Sequence, residues 1–210
     1  MKKILATMLL AFVSINAQSN TEPNLEGTHW VKFEPLQSMG ALQGCSIVYL
    51  TAVKDVRSLN GDLVVINGSI TLHASDKKMV FGFKVGVKNL TKGTPFERPN
   101  FAYIQTKNSS TAKVETSKFE GEPGYSFYVY SALDKQMMKF LEDFLENKNI
   151  QIGYTLKEGG LDMLAPLDLF VVDSGMTANA EFKRKTSPDV LLAFSDCFGK
   201  AMEEMLSDAK

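Results

Sequence analysis

Two adjacent segments of this chain alternate so regularly that they leave little choice of backbone. In residues 63–73, Val64, Ile66, Ile70 and Leu72 fall on one side, with Asn67, Ser69, Thr71 and His73 on the other. After the polar turn Ser75-Asp76-Lys77-Lys78, Met79, Phe81, Phe83, Val85 and Val87 alternate with Gly82, Lys84, Gly86 and Lys88. Successive side chains of a strand point to opposite faces, so a period of two marks strands buried on one face only. One-sided burial is the habit of antiparallel sheets, because parallel ones are covered on both faces. Upstream, Asn60-Gly61 supplies two residues that tolerate positive φ, which is the two-residue hairpin signal.

The rest of the chain continues in this manner. A short strand is expected over 29–33, ended by Pro35, then a loop over 36–44 and a strand over 45–54. Residues 91–100 hold two prolines and a glycine and read as a loop. Strands follow at 101–106, more weakly at 113–119, and at 125–130, where Tyr125, Phe127 and Val129 alternate with Ser126, Tyr128 and Tyr130. The period then changes. From 134 to 148, Met137, Phe140, Leu141, Phe144 and Leu145 recur at three and four, predicting an amphipathic helix. Strand spacing resumes at Ile150, Ile152, Tyr154 and Leu156, and 167–172 reads as one apolar strand covered on both sides.

The last element has the clearest signals. Ser187 suits an N-cap, Pro188 the first helical turn, and Asp189 the positive end of the helix dipole. Val190, Leu191, Phe194, Cys197, Phe198, Ala201, Met202 and Met205 form its apolar stripe. Gly199 in mid-helix predicts a close neighbour, since glycine there costs about 1 kcal/mol relative to alanine. Eight to ten strands in hairpin-spaced runs with two helices predict an α+β fold, mainly antiparallel β. The expected architecture is a β-sandwich or curved barrel carrying its helices towards the C-terminal side.

The first residues speak to location. Met1-Lys2-Lys3 is cationic, residues 4–15 are apolar, and Asn16-Ala17 precedes Gln18, the layout of a cleaved secretory signal. The expected organisation is a signal peptide at 1–17, a loose lead-in at 18–28 and a single β-rich domain over 29–210. A bacterial periplasmic or secreted protein is the expectation, with no transmembrane segment in the mature chain, since no later apolar run reaches 18 residues. Three sequons, at Asn67, Asn89 and Asn108, are read as chance occurrences. Loss of Lys2 and Lys3 leaves 21 basic against 24 acidic side chains, and only Arg57, Arg98 and Arg184 are arginines. Such a balance excludes the clustered basic surface that nucleic acid demands.

Cys45 and Cys197 are the two cysteines. In an oxidising compartment such a pair reads first as a disulfide. Closing a loop of roughly 150 residues, it stabilises by about 5 kcal/mol in the chain-entropy model. Two separate buried thiols, or a catalytic thiol assisted by His29 or His73, are the alternatives.

No catalytic set emerges from the sequence. There is no nucleophile elbow, and Asp173-Ser174-Gly175 reads as an ordinary turn. His29 and His73 stand 44 residues apart, with no ligand pair at metal-binding spacing, and read as surface or rim residues. Glu142, Asp143 and Glu146 read as a solvated helix face, and no phosphate-binding glycine loop is present. No cofactor is expected. The aromatic strand carries the one surface hypothesis. Tyr128 and Tyr130 form a platform for peptide, glycan or lipid if their side is exposed, and core if a helix covers it. Met137 and Met138, with Met202 and Met205, either line an adaptable pocket under the helices or fill gaps in packing.

The order of elements, the Gly44-Cys45-Ser46 strand entry and the closing helix with Phe194, Phe198, Ala201 and Met202 resemble the invasion-associated locus B family. The resemblance implies an exported bacterial protein of similar size and mainly β fold, and it carries over no functional residue. The chain departs from that family in lacking its additional cysteines. The functional expectation is therefore a non-enzymatic envelope protein that binds an envelope protein or a small apolar or glycan ligand, through a β face or a helix–sheet groove. The alternative is an immunity or inhibitor protein directed at an envelope-targeting enzyme or toxin.

Overall fold

A computed structural model describes residues 25–38, 41–75, 78–176 and 182–207. The signal-like residues 1–17 and most of the lead-in lie outside the described residues. Eleven strands and two helices follow in order among them. They are β1 (His29–Ser38), β2 (Ala41–Asp55), β3 (Asp62–Ser75), β4 (Lys78–Asn89), β5 (Phe101–Gln105), β6 (Ser117–Glu120), β7 (Ser126–Ser131), α1 (Lys135–Glu146), β8 (Asn149–Thr155), β9 (Met163–Asp168), β10 (Val171–Met176), β11 (Phe182–Thr186) and α2 (Asp189–Ser207). Every pairing is antiparallel. A six-stranded sheet runs β1-β2-β3-β4-β7-β6, a three-stranded sheet β5-β8-β9, and β10-β11 form a ribbon. The sheets stay open, so the arrangement is sandwich-like rather than a barrel.

The alternating residues do what their period demands. Ile66, Ile70, Phe81, Phe83 and Val85 are fully buried on the inner face of the large sheet. Tyr49, Phe83 and Tyr128 lie in sequence across three strands, with stacked centroids 6.4 and 5.9 Å apart. The Tyr49 hydroxyl donates to the Lys84 carbonyl at 3.0 Å. It passes over Gly68, where a Cβ would collide with both groups. Glycine at this position lets the aromatic side chain lie across the strand.

Helix α1 begins at Asp134, whose carboxylate accepts from the Gln136 and Met137 amides at 2.8 and 3.1 Å. Its buried face is Met137, Phe140, Leu141 and Phe144. Phe140 meets Phe81 edge-on at 5.7 Å, and Phe144 meets Phe194 of α2 at 6.0 Å. The apolar stripe of one helix is thereby fitted to the sheet and to the second helix in one core. Ser187 Oγ accepts from the Asp189 amide at 3.1 Å, as expected of the residue that caps α2. Cys197 on the buried face of α2 is disulfide-bonded to Cys45 on β2, with Cα atoms 6.0 Å apart.

Several expectations are corrected. β1 does not stop at Pro35 but runs through it to Ser38, because an edge strand has no partner for the missing proline N–H. Most of 36–44 is consequently strand, with a register shift between Leu36 and Gln37. The weak strand at 113–119 resolves into a 3-10 turn at Thr111–Lys113 and β6. The apolar run 167–172 is not one strand. Leu169-Phe170 is a turn that ends β9 in the small sheet and carries the chain into β10 of the ribbon, and the Asp168 carboxylate accepts from the Phe170 amide at 2.9 Å. Gly199 is exposed, and nothing lies where its Cβ would be.

Candidate functional site

Two polar hydrogen bonds join the sheets. Thr51 Oγ1 of β2 donates to the Pro166 carbonyl of β9 at 3.0 Å. The Tyr154 hydroxyl of β8 donates to the fully buried Asp55 carboxylate of β2 at 2.8 Å. Asp55 also accepts from the Arg57 and Ser58 amides at 3.0 and 2.7 Å, so its charge is met from three directions.

Along the first of these seams opens a cavity of about 670 Å³. Its walls come from the start of β1, the ends of β5, β8 and β9, and Arg184 of β11. Most of its lining residues are of polar type, although apolar atoms make up the larger part of the lined surface: Gln105, Asn147, Asn149 and Gln151 supply carboxamides, and His29, Asp168, Arg184 and Lys107 supply ionisable groups. Outward positions on the strands explain the carboxamides, since Gln105 of β5 stands in register with Gln151 of β8, and Gln151 with Pro166 of β9.

His29 is the least ordinary residue of this wall. Only 6% of it is exposed. Its backbone amide donates to Ser174 Oγ at 3.0 Å, and Ser174 Oγ donates back to the His29 carbonyl at 2.6 Å. The ring Nδ1 lies 3.0 Å from the Gly27 carbonyl, which can only accept, so Nδ1 carries the proton. Arg184 donates to the same carbonyl at 3.2 Å. Nε2 is left as a buried acceptor with no hydrogen-bond partner among the described residues. Burial lowers the pKa of His29, the Gly27 bond opposes this, Arg184 lowers it further and Asp168 raises it; the net displacement is downward. The ring is thus neutral at pH 7, and its acceptor face is intact.

A second cavity of about 530 Å³ shares Gln105, Thr106 and Lys107 with the first and continues past Phe101, Tyr103 and Asp162. The ring of Tyr103 lies directly on Gly153 of β8, its register partner, where any Cβ would strike it. Phe101 is tilted against Tyr103 at 5.7 Å. The loop at 106–109, whose Thr106 and Lys107 line both cavities, is held by Asp143 of α1. Its carboxylate accepts from Thr106 Oγ1, from the Asn108 amide at 3.1 Å and side chain at 2.8 Å, and from Ser109 Oγ at 2.9 Å. Desolvation raises the pKa of Asp143, but the hydrogen bonds from Thr106, Asn108 and Ser109 outweigh it and bring it down to about 2.

The residues singled out from sequence fall elsewhere. Tyr128 and Tyr130 are 1% and 2% exposed and belong to the core, where Tyr130 packs on Phe81 and Tyr128 on Phe83. The platform reading is corrected accordingly, and burial pushes the Tyr128 phenol up to about 12. Met137 is fully buried, and Met138 is partly buried against the same core. Neither lines the apolar groove between the end of α1 and the start of α2, about 320 Å³, where Leu145, Phe170, Leu191 and Leu192 meet. His73 lies half-buried on the outer face of the large sheet, opposite Gly44 and Val80. Ser174 hydrogen-bonds the backbone of His29 through both its donor and its acceptor, rather than the imidazole.

Among the described residues, no group of three or more His, Cys, Asp or Glu side chains is placed to hold a metal ion. No described helix is long and apolar enough to cross a membrane. No family model, curated protein or solved structure matches the chain, so the likeness to the invasion-associated locus B family stands on the residues quoted for it alone.

Proposed function

We propose that this chain is an exported bacterial envelope protein that acts by binding a small polar ligand in the cavity at the seam of its two sheets. The observation that carries the reading is the cavity of about 670 Å³, one wall of which gathers the carboxamides of Gln105, Asn147, Asn149 and Gln151. Carboxamides that line a cavity lose their water when an occupant enters, so they favour an occupant that hydrogen-bonds to them in turn. Strands rather than mobile loops present most of the wall, so the site is preformed, as ligand sites usually are. The Cys45–Cys197 bond suits an oxidising compartment and therefore supports export. Ser174 offers no support for a hydrolase reading, since its hydroxyl serves the backbone of His29.

Native mass spectrometry on protein recovered from the host envelope, without reductant, tests this reading. The expected spectrum shows a non-covalent small-molecule adduct. A chain found only in a stoichiometric complex with another protein would replace this reading with the inhibitor alternative.

A further inference from the structure

Within that binding reading, we infer that the ligand is a neutral saccharide chain laid across the outer face of β5, β8 and β9, spanning both cavities. Either cavity, at about 670 and 530 Å³, falls in the roughly 300–1,000 Å³ range that holds a drug-sized molecule. They meet at Gln105, Thr106 and Lys107, so one extended ligand can occupy both.

The chemistry of the wall narrows the class. A carboxamide presents a donor and an acceptor in one plane, which matches the paired donor and acceptor character of neighbouring sugar hydroxyls. Gln105 and Gln151 are adjacent in register, giving two such groups side by side on a rigid sheet. Further along the face, the largely buried Tyr103 ring covers Gly153, and the exposed apolar surface there is Leu164, the next partner of Gly153, at 36%. Apolar surface next to fixed polar groups suits the C–H face of a pyranose ring.

Other classes fit less well. Lys107, Lys113 and Arg184 are set against Asp162 and Asp168, and His29 is neutral, so the groove carries a single positive charge in excess, short of the clustered cations a polyanionic ligand needs. A peptide captured by strand addition needs an unpaired strand edge, whereas this groove crosses strand faces. An apolar ligand would leave the carboxamides without partners.

The test is a glycan array carrying neutral and acidic oligosaccharides, probed with the full chain and with Gln105→Ala and Gln151→Ala, both on the outer sheet face. Unchanged melting temperatures establish that the variants fold. We expect the wild type to bind neutral oligosaccharides, with a disaccharide or longer needed, and either variant to bind about tenfold more weakly. Binding confined to acidic glycans, binding untouched by both substitutions, or no binding to any sugar overturns the saccharide assignment. A non-sugar adduct in the native mass spectrum would sink this assignment while leaving the binding reading intact. A stoichiometric protein complex without an adduct would remove both.

Discussion

At the scale of single residues, long-range polar contacts decide what the site is, and these were the least legible from sequence. His29 read as a rim residue because its partner Ser174 lies 145 positions away. Asp143 read as part of a solvated helix face, yet it anchors a loop 34 to 37 positions upstream. No period or spacing encodes such encounters. Asp143 also makes a pH-dependent contribution with a definite sign. Its carboxyl titrates at about 2 in the folded protein against about 3.9 when unfolded, so its stabilisation is present above the unfolded value and lost as pH falls through the folded one. The melting-temperature gap between wild type and Asp143→Ala should therefore close as pH drops from about 5 to about 2; a gap constant over that window would contradict the assignment. Removal of the Tyr154 hydroxyl tests the second seam. Tyr154→Phe leaves Asp55 buried with its two amide donors but without its cross-sheet one. Denaturant unfolding should show a loss of about 1.5–3 kcal/mol, the range for hydrogen bonds to charged groups. A loss under half a kcal/mol, well below that range, would mean the contact contributes little.

At the scale of elements, alternation and helical periodicity proved reliable wherever one face is buried. β3, β4, β7 and β8 and both helices lie where their patterns put them, with Ile66, Phe81, Tyr154 and Phe194 all pointing inward. Failures came where burial did not dictate the pattern. Pro35 sits in an edge strand that tolerates it, and Leu167, Leu169 and Val171 are buried although a turn there passes the chain from one sheet to another. Gly199 is the instructive error. A mid-helix glycine suggested close packing, but open space surrounds it, so only its intrinsic cost remains. Gly199→Ala should accordingly stabilise the protein by about 1 kcal/mol in thermal or urea unfolding. Destabilisation would show that an unseen neighbour occupies this face of α2.

At the scale of the whole molecule, a large sheet and a small one enclose an aromatic core, and their polar seam becomes a cavity. The antiparallel, sandwich-like class was legible because each strand carries its own burial pattern, while the partition into two sheets was not. That partition depends on β5 leaving β4 to pair with β8, which no local signal announces. The disulfide joins early and late parts of the chain, 152 residues apart, and its Cys45 shares a face of β2 with Thr51 but lies nearer the start of the strand, away from the seam. Cys197→Ser should lower the melting temperature, with up to about 5 kcal/mol at stake in the chain-entropy model. Ligand retention should survive at low temperature; loss of binding with unchanged stability would contradict a purely structural role.

The central claim is that ligand enters the polar groove at the seam of the sheets. Amide chemical-shift mapping of the isotope-labelled chain, titrated with a low-molecular-mass extract of the host envelope, tests it most directly. The account predicts that shifts concentrate at His29, at Tyr103 to Lys107, and at Asn149 to Gln151. Shifts confined instead to Leu145, Leu191 and Leu192, around the apolar groove between the helices, would contradict it.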